Sequence, residues 1–218
     1  MNEQQRSHWP LSILGGAVSI LNMFMPLALV RLLSPDDVGH YKIFFLYLVL
    51  VPWFCLTAGI TNGLSHWAGN DQKRLKAFRT SWSLLVVIAC TALVAGTLLQ
   101  STLMEKLSWS TLQVRLFVWG AFVTILAAFF EEAVIATGKI WRGALFSSGF
   151  EFLRISSMIG AAFVHKNVES VFWTHISFMS VKVILGALIG WKAGFQKPAF
   201  DRQMVISVIK YAFPVSLS

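Results

Sequence analysis

Charged positions fall in clumps along this chain and leave long uncharged tracts between them. Trp9 through Val30, Ile43 through Asn70 and Thr80 through Met104 contain no Asp, Glu, Lys or Arg. Each is longer than the roughly 20 apolar residues with which a helix crosses a hydrocarbon core of about 30 Å. Extended along the chain, the pattern predicts six spans: Trp9 to Leu33, Tyr41 to Leu64, Thr80 to Leu99, Leu112 to Ala136, Gly143 to Val164 and Ser170 to Trp191. A seventh apolar segment opens around Ile209 and reaches Ser218. The expected fold is all-α, a polytopic membrane helical bundle with a six-helix lobe over 1–208 and the start of a seventh helix over 209–218. Ser218 falls inside that helix, as the end of a fragment would.

Composition agrees with a lipid environment. Of 218 residues 56% are hydrophobic and 13% charged, against roughly 25% charged in an ordinary soluble domain. Mean hydropathy is +0.66. A formal net charge of +8 would suit nucleic acid, but the basic residues sit in short connections and build no continuous patch. Membrane lipids and membrane orientation account for them, and no nucleic-acid partner is expected. One side of the bilayer collects Arg6, the run Lys73, Arg74, Lys76 and Arg79, then Lys139, Arg142, Lys192, Lys197, Arg202 and Lys210. The other has Arg31, Lys42, Lys106, Arg115 and Lys166. By the positive-inside rule the amino terminus is cytoplasmic, and the run from Lys73 reads as a topogenic loop. Trp9, Trp67, Trp82, Trp141 and Trp191 fall near the expected cytoplasmic ends and Trp109 and Trp173 near outer ones, where indole favours the headgroup level; Trp53, mid-span, is the exception. Cys55 and Cys90 lie within spans and are expected as buried thiols with no disulfide framework. The stretch from Trp9 is too long for a signal-peptide core and lacks a small-residue cleavage site.

Breaks and small residues mark where helices bend or approach. Pro26 and Pro52 sit inside the first two spans, as hinges beside a cavity or as passive kinks. Gly59 with Gly63, and Gly186 with Gly190, have the spacing that lets helices pack closely, and plain packing is the favoured reading.

Charges at mid-depth are the functional candidates, since each costs roughly 2.5 to 3.5 kcal/mol at a helix centre. At about 1.5 Å per residue, Arg154 lies roughly 16 Å into the fifth span and Lys182 about 18 Å from the outer side, so the two are expected at one level. Glu151, three residues before Arg154, shares its helix face, and a self-neutralising pair is the bland alternative to a substrate site. Lys182 has no acidic residue within a turn on its own helix. A buried positive site facing water is what a carrier of an anionic lipid headgroup needs. Glu131 and Glu132, near the cytoplasmic end of the fourth span, are coupling-ion candidates for H+ or Na+, because desolvation raises a carboxyl pKa. An interfacial pair meeting Lys139 and Arg142 is the commoner arrangement. His8, His40, His66, His165 and His175 are scattered, lack metal-ligand spacing and read as interfacial. With no Gly-rich phosphate loop, nucleophile elbow or paired-Cys motif, no catalytic residue, metal or organic cofactor is expected.

The most distinctive string is Arg31-Leu32-Leu33-Ser34-Pro35-Asp36-Asp37-Val38-Gly39-His40-Tyr41. Ser34 can cap a helix, Pro35 suits its first position, and Asp36 and Asp37 complement the positive end of its dipole. The string resembles the R-L-L-(S/G)-P-(E/D)-(D/E)-x-G-x-Y segment of bacterial polysaccharide and oligosaccharide (Wzx-like) flippases. These belong to the multidrug/oligosaccharidyl-lipid/polysaccharide (MOP) exporter superfamily. The turn around Gly59, the run from Ala136 to Ala144 and Tyr211-Ala212-Phe213-Pro214 also resemble family segments. The resemblance implies the first of two pseudo-symmetric lobes in the bacterial inner membrane. It further implies alternating-access translocation of a polyprenyl-pyrophosphate-linked oligosaccharide, whose phosphates would be drawn to Arg154, Lys182 and Arg31. A polysaccharide polymerase and glycosyltransferases are the implied partners. The rivals are a drug/cation antiporter of the same superfamily, a membrane-embedded glycosyl- or acyltransferase, and a non-transporting assembly subunit. The first span lacks an acidic residue and the mid-depth charges lean positive, which favours an anion over a cationic drug.

Overall fold

The computed structural model describes residues 3–68, 71–136, 140–193 and 201–217, and these are helical almost throughout. The helices are α1 (Glu3–Leu32), α2 (Pro35–Phe54), α3 (Thr57–Ala68), α4 (Asp71–Leu98), α5 (Gln100–Leu107), α6 (Thr111–Ala136), α7 (Ile140–His165), α8 (Val168–Ala193) and α9 (Arg202–Leu217). Among the described residues α1, α4, α6 and α8 are each long and apolar enough to cross a bilayer alone, and the bent pair α2–α3 is so when taken together. The sixth expected span is α7. It has the length, 26 residues, but its charged pair and its serines make it too polar to qualify on composition.

The Ser34 to Tyr41 string folds as its chemistry dictates. Ser34 holds an extended backbone, its Oγ accepts from the Asp37 N–H at 3.2 Å, and Pro35 occupies the first helical turn. The second span, expected as one helix, is broken. Pro52 offers no N–H to the preceding turn, the backbone reverses sign at Leu56 (φ 58°), and α3 departs from α2 at 65°. The Thr57 hydroxyl donates to the Pro52 carbonyl at 3.0 Å and fixes the corner. Pro26, by contrast, lies inside an unbroken α1. Trp53 stands beside this corner, 45% exposed.

Helix α6 is the centre of the bundle. It is apolar through its middle and packs against α2, α3, α4, α5, α7 and α8. One core cluster joins α3, α4, α6 and α9 through Leu64, Phe78, Phe129 and Val208; a second joins α2, α6 and α8, with Phe44 stacked on Phe172 at 3.8 Å. A third joins α1, α7 and α8 through Leu29, Ile155, Met158 and Val171. Outward, Met23, Phe24 and Leu27 on α1, Val94 and Leu98 on α4, and Ile184 and Leu188 on α8 are more than half exposed. Such apolar faces belong to a helix bathed in lipid, where exposure to water is not the reference.

Several details differ from the sequence reading. The basic run from Lys73 begins no loop: Arg74, Lys76 and Arg79 ride on the first turns of α4, whose Ala77 and Phe78 are fully buried against α9. Helix α9 starts at Arg202, ahead of the apolar segment at Ile209, because Asp201 caps it and Met204 already belongs to the core. Cys90 is exposed and Cys55 half-buried, so neither is a fully buried thiol. Trp109 lies 3% exposed against Phe44 and Phe117, packed inside the core. Trp82 packs on Phe129 and Phe130. Lys139 and Lys197 lie outside the described residues, as do the side chains of Arg6, Trp9, Lys73, Trp141, Arg142, Trp191 and Lys192.

Candidate functional site

The polar residues that α7 and α8 carry into the bilayer meet one another. On α7, Glu151, Arg154 and Met158 follow helical spacing and share one face. On α8, His175 and Lys182 stand seven residues apart, which is two turns of the same stripe. Where the stripes face, Arg154 is held on several sides. Its Nε donates to Glu151 Oε2 at 3.0 Å, its Nη2 donates to Glu151 Oε1, and its Nη1 donates to His175 Nδ1 at 2.8 Å and approaches the Met158 sulfur at 3.3 Å. The side chain of Arg154 is 11% exposed and that of Glu151 27%.

His175 is 5% exposed, which removes it from the interfacial histidines. Phe45 of α2 presses edge-on against its ring at 4.9 Å, and Tyr41 lies tilted against Phe45 at 4.8 Å. The Tyr41 hydroxyl in turn approaches the Met25 sulfur of α1 at 3.7 Å. Residues of four helices, α1, α2, α7 and α8, are thus linked in one chain of contacts that ends at the Arg154 guanidinium.

Lys182 enters the same α7–α8 cleft further along. The cleft is lined by Phe150, Glu151, Arg154, Phe178, Met179 and Lys182, and is too narrow in this conformation to admit a water molecule. Lys182 is 5% exposed and its Nζ lies 6.0 Å from the centre of the Phe146 ring, at the outer limit of a cation–π contact. The helices run antiparallel with Arg154 opposite His175, which sets Lys182 about two turns away, opposite Phe146. The cleft walls thus hold two cations and one carboxylate.

The remaining sequence candidates lie elsewhere. Arg31 is exposed in the last turn of α1, outside the cleft. Glu132 is half-buried near the end of α6 and already engaged by a neighbour, and the side chain of Glu131 lies outside the described residues. Among the described residues no group of three His, Cys, Asp or Glu side chains is placed to hold a metal ion. The residue that sequence reasoning missed is His175. Its seven-residue spacing from Lys182 was the available signal.

No family model matches the chain, and no curated protein matches it. Solved structures do. A MOP superfamily transporter from Pyrococcus furiosus, described by the reverse polarity of its binding pocket, superposes with a TM-score of 0.73 at 16% identity, over 95% of this chain and 50% of its own. A MATE structure in a bent conformation gives 0.69 at 15% identity, over 99% and 53%. An outward-facing multidrug resistance transporter of the MATE family gives 0.65 at 15% identity, over 95% and 50%. The chain spans about half the length of each. The chain therefore shares the fold of one half of these solved transporters, and its long apolar helices make it a multi-pass membrane protein.

Proposed function

We propose that this chain is one lobe of an inner-membrane transporter, with its amino terminus cytoplasmic, that moves an anionic lipid-linked oligosaccharide by alternating access. The single observation that carries the reading is the α7–α8 cleft, in which two of the three charged wall residues are cations, set about two turns apart. A buried cation is tolerated only with a partner. In the closed cleft Arg154 has Glu151 and His175 for partners. A phosphate entering an opened cleft would offer the guanidinium the same bidentate geometry as the Glu151 carboxylate, at higher charge. Cargo binding is then an exchange of one anionic partner for another, with Lys182 adding a second attraction. The sugars and pyrophosphate would cross between two lobes while the polyprenyl tail stays in lipid, and rocking of one lobe on the other would alternate access. Arg31, exposed in the last turn of α1, would attract the phosphate. Coupling to H+ or Na+ falls to carboxylates at the membrane level, Glu132 and Glu131 on α6 and Glu151 in the cleft. Glycosyltransferases that build the cargo and a polymerase that receives it are the proposed partners.

The test is glycan export by the full-length protein carrying Arg154→Gln or Lys182→Gln. Export should fall at least about tenfold, the loss expected when a charge-assisted contact to the cargo disappears. Unchanged export at normal protein levels removes both residues from the site. A second reading, a drug or cation antiporter, is favoured by one observation: Glu151 is the more exposed member of its pair and could receive a cationic ligand. Uptake of cationic dyes abolished by Glu151→Gln, with glycan export untouched, would decide for it.

A further inference from the structure

Arg115 is a membrane-level cation that the transport reading leaves unused. It sits on the exposed side of α6, roughly 6 Å along the helix from Thr111. Among the described residues none hydrogen-bonds or ion-pairs with its guanidinium. It stands at a groove of about 430 Å³ walled by Leu93 and Thr97 of α4, Leu112, Leu116 and Trp119 of α6, and Trp173 of α8. The groove has a geometric cause. At Gly96 the helices α4 and α6 touch so closely that a Cβ there would fall 2.7 Å from Val118 Cγ2. Just beyond, α4 ends at Leu98 and the chain turns into the short α5, so α4 no longer covers the first turns of α6. Trp119 and Trp173 are each 52% exposed at the edges. The Thr97 hydroxyl is already spent on the Leu93 carbonyl at 2.7 Å and the Gln100 amide of α5 approaches the Met104 sulfur at 3.9 Å, which leaves Arg115 as the charged group of the lining.

We infer that this groove is a binding site for an anionic glycerophospholipid, with the phosphate on Arg115 and one acyl chain laid between α4 and α6. Its volume lies within the roughly 300–1,000 Å³ of small-molecule sites and is too small for a partner helix about 10 Å across. A guanidinium at the edge of the hydrocarbon is costly alone and pairs bidentately with phosphate. The lining residues include no Asp or Glu to hold a choline or ethanolamine ammonium, so charge complementarity selects a net-negative lipid such as phosphatidylglycerol. The indoles of Trp119 and Trp173 suit the polar–apolar boundary at which the lipid's ester groups lie.

The test is native mass spectrometry of the full-length protein in mild detergent, titrated separately with dioleoyl phosphatidylglycerol, dioleoyl phosphatidylcholine and a polyprenyl phosphate. Phosphatidylglycerol should be retained in preference to phosphatidylcholine. Arg115→Gln should lower that retention about tenfold, with Arg115→Lys between the two because it keeps the charge and loses the fork. Leu112→Trp, at a half-exposed wall position away from the packed core, should fill the groove and lower retention with the helical content unchanged. Equal retention of the two phospholipids, or full retention by Arg115→Gln, overturns the proposal. Polyprenyl phosphate displacing phosphatidylglycerol at equal concentration also overturns it, and assigns the groove to cargo.

Discussion

The guanidinium of Arg154 on α7 donates to Nδ1 of His175 on α8 at 2.8 Å. Because arginine can only donate, that nitrogen accepts and the ring carries its proton on Nε2. Nε2 is itself buried without a partner. The histidine thus serves as an acceptor that joins two helices, and an acceptor is what a substitution must preserve. His175→Asn keeps a carbonyl oxygen near the position of Nδ1 and should stay within about 1 kcal/mol of the parent. His175→Ala removes the acceptor of a charged donor and opens a void, and should cost about 2 kcal/mol. Thermal unfolding in detergent reads both, and equal losses would show that the bond contributes nothing.

Glu151 and Arg154 are coupled, so their single substitutions should not add. Glu151→Gln leaves a guanidinium 11% exposed with His175 as its main polar partner, and is expected to cost about 3 kcal/mol, at the low end of the range for breaking a buried pair. The double variant Glu151→Gln with Arg154→Gln removes both charges and should recover at least half of that loss. A double-mutant cycle on unfolding midpoints checks it; additivity would mean that the two side chains are solvated independently.

Much of this arrangement was legible from the chain alone, and the parts that were missed share a cause. Hydrophobic runs located the crossings because the bilayer thickness fixes their length, and the Ser34-Pro35 cap was readable because it is local chemistry. The Glu151–Arg154 pair followed from spacing on one helix. Which helices face each other was beyond a one-dimensional pattern. Arg154 and Lys182 were expected at one level, yet the register sets Arg154 against His175 and Lys182 against Phe146. The corner after Pro52 was half legible: proline marks a weakened helix, but the positive φ at Leu56 is set by the packing of α3 against α4, α6 and α9.

The small-residue spacings were read as packing, and the structure shows what one glycine of each pair faces. At Gly186 a Cβ would fall 2.4 Å from Phe130 Cγ, and at Gly63 it would lie 3.1 Å from the Tyr211 ring. The neighbour is an aromatic side chain from another helix in each case. Phe130 is 2% exposed and has little room to move. Gly186→Ala should therefore cost about 1–3 kcal/mol through overpacking. Gly160→Ala on α7, where nothing lies within 4 Å, should be neutral or stabilising by up to about 1 kcal/mol through helix propensity. If both substitutions behave alike in thermal unfolding, the α6–α8 contact is looser than described.

The start of α9 is fixed by Asp201, whose carboxylate pairs with Lys76 on α4 at 2.5 Å and accepts from the Met204 N–H at 2.9 Å. The Lys76 hydrogen bond first, and the Met204 N–H second, hold this carboxyl below its ordinary value of 3.8. A group with a depressed folded pKa binds its proton less readily when folded than when unfolded, so its contribution is complete above 3.8 and fades as pH falls through the folded value. Protection of the first α9 amides, Met204 and Val205, should accordingly hold from neutral pH down to about 4 and then weaken. Asp201→Asn should remove that acid dependence and lower protection at neutral pH by about fivefold, because the neutral amide keeps a weak cap and loses the ion pair. Hydrogen exchange measured across this range in detergent makes the comparison. An acid-induced loss that persists in Asp201→Asn would place the titrating group elsewhere.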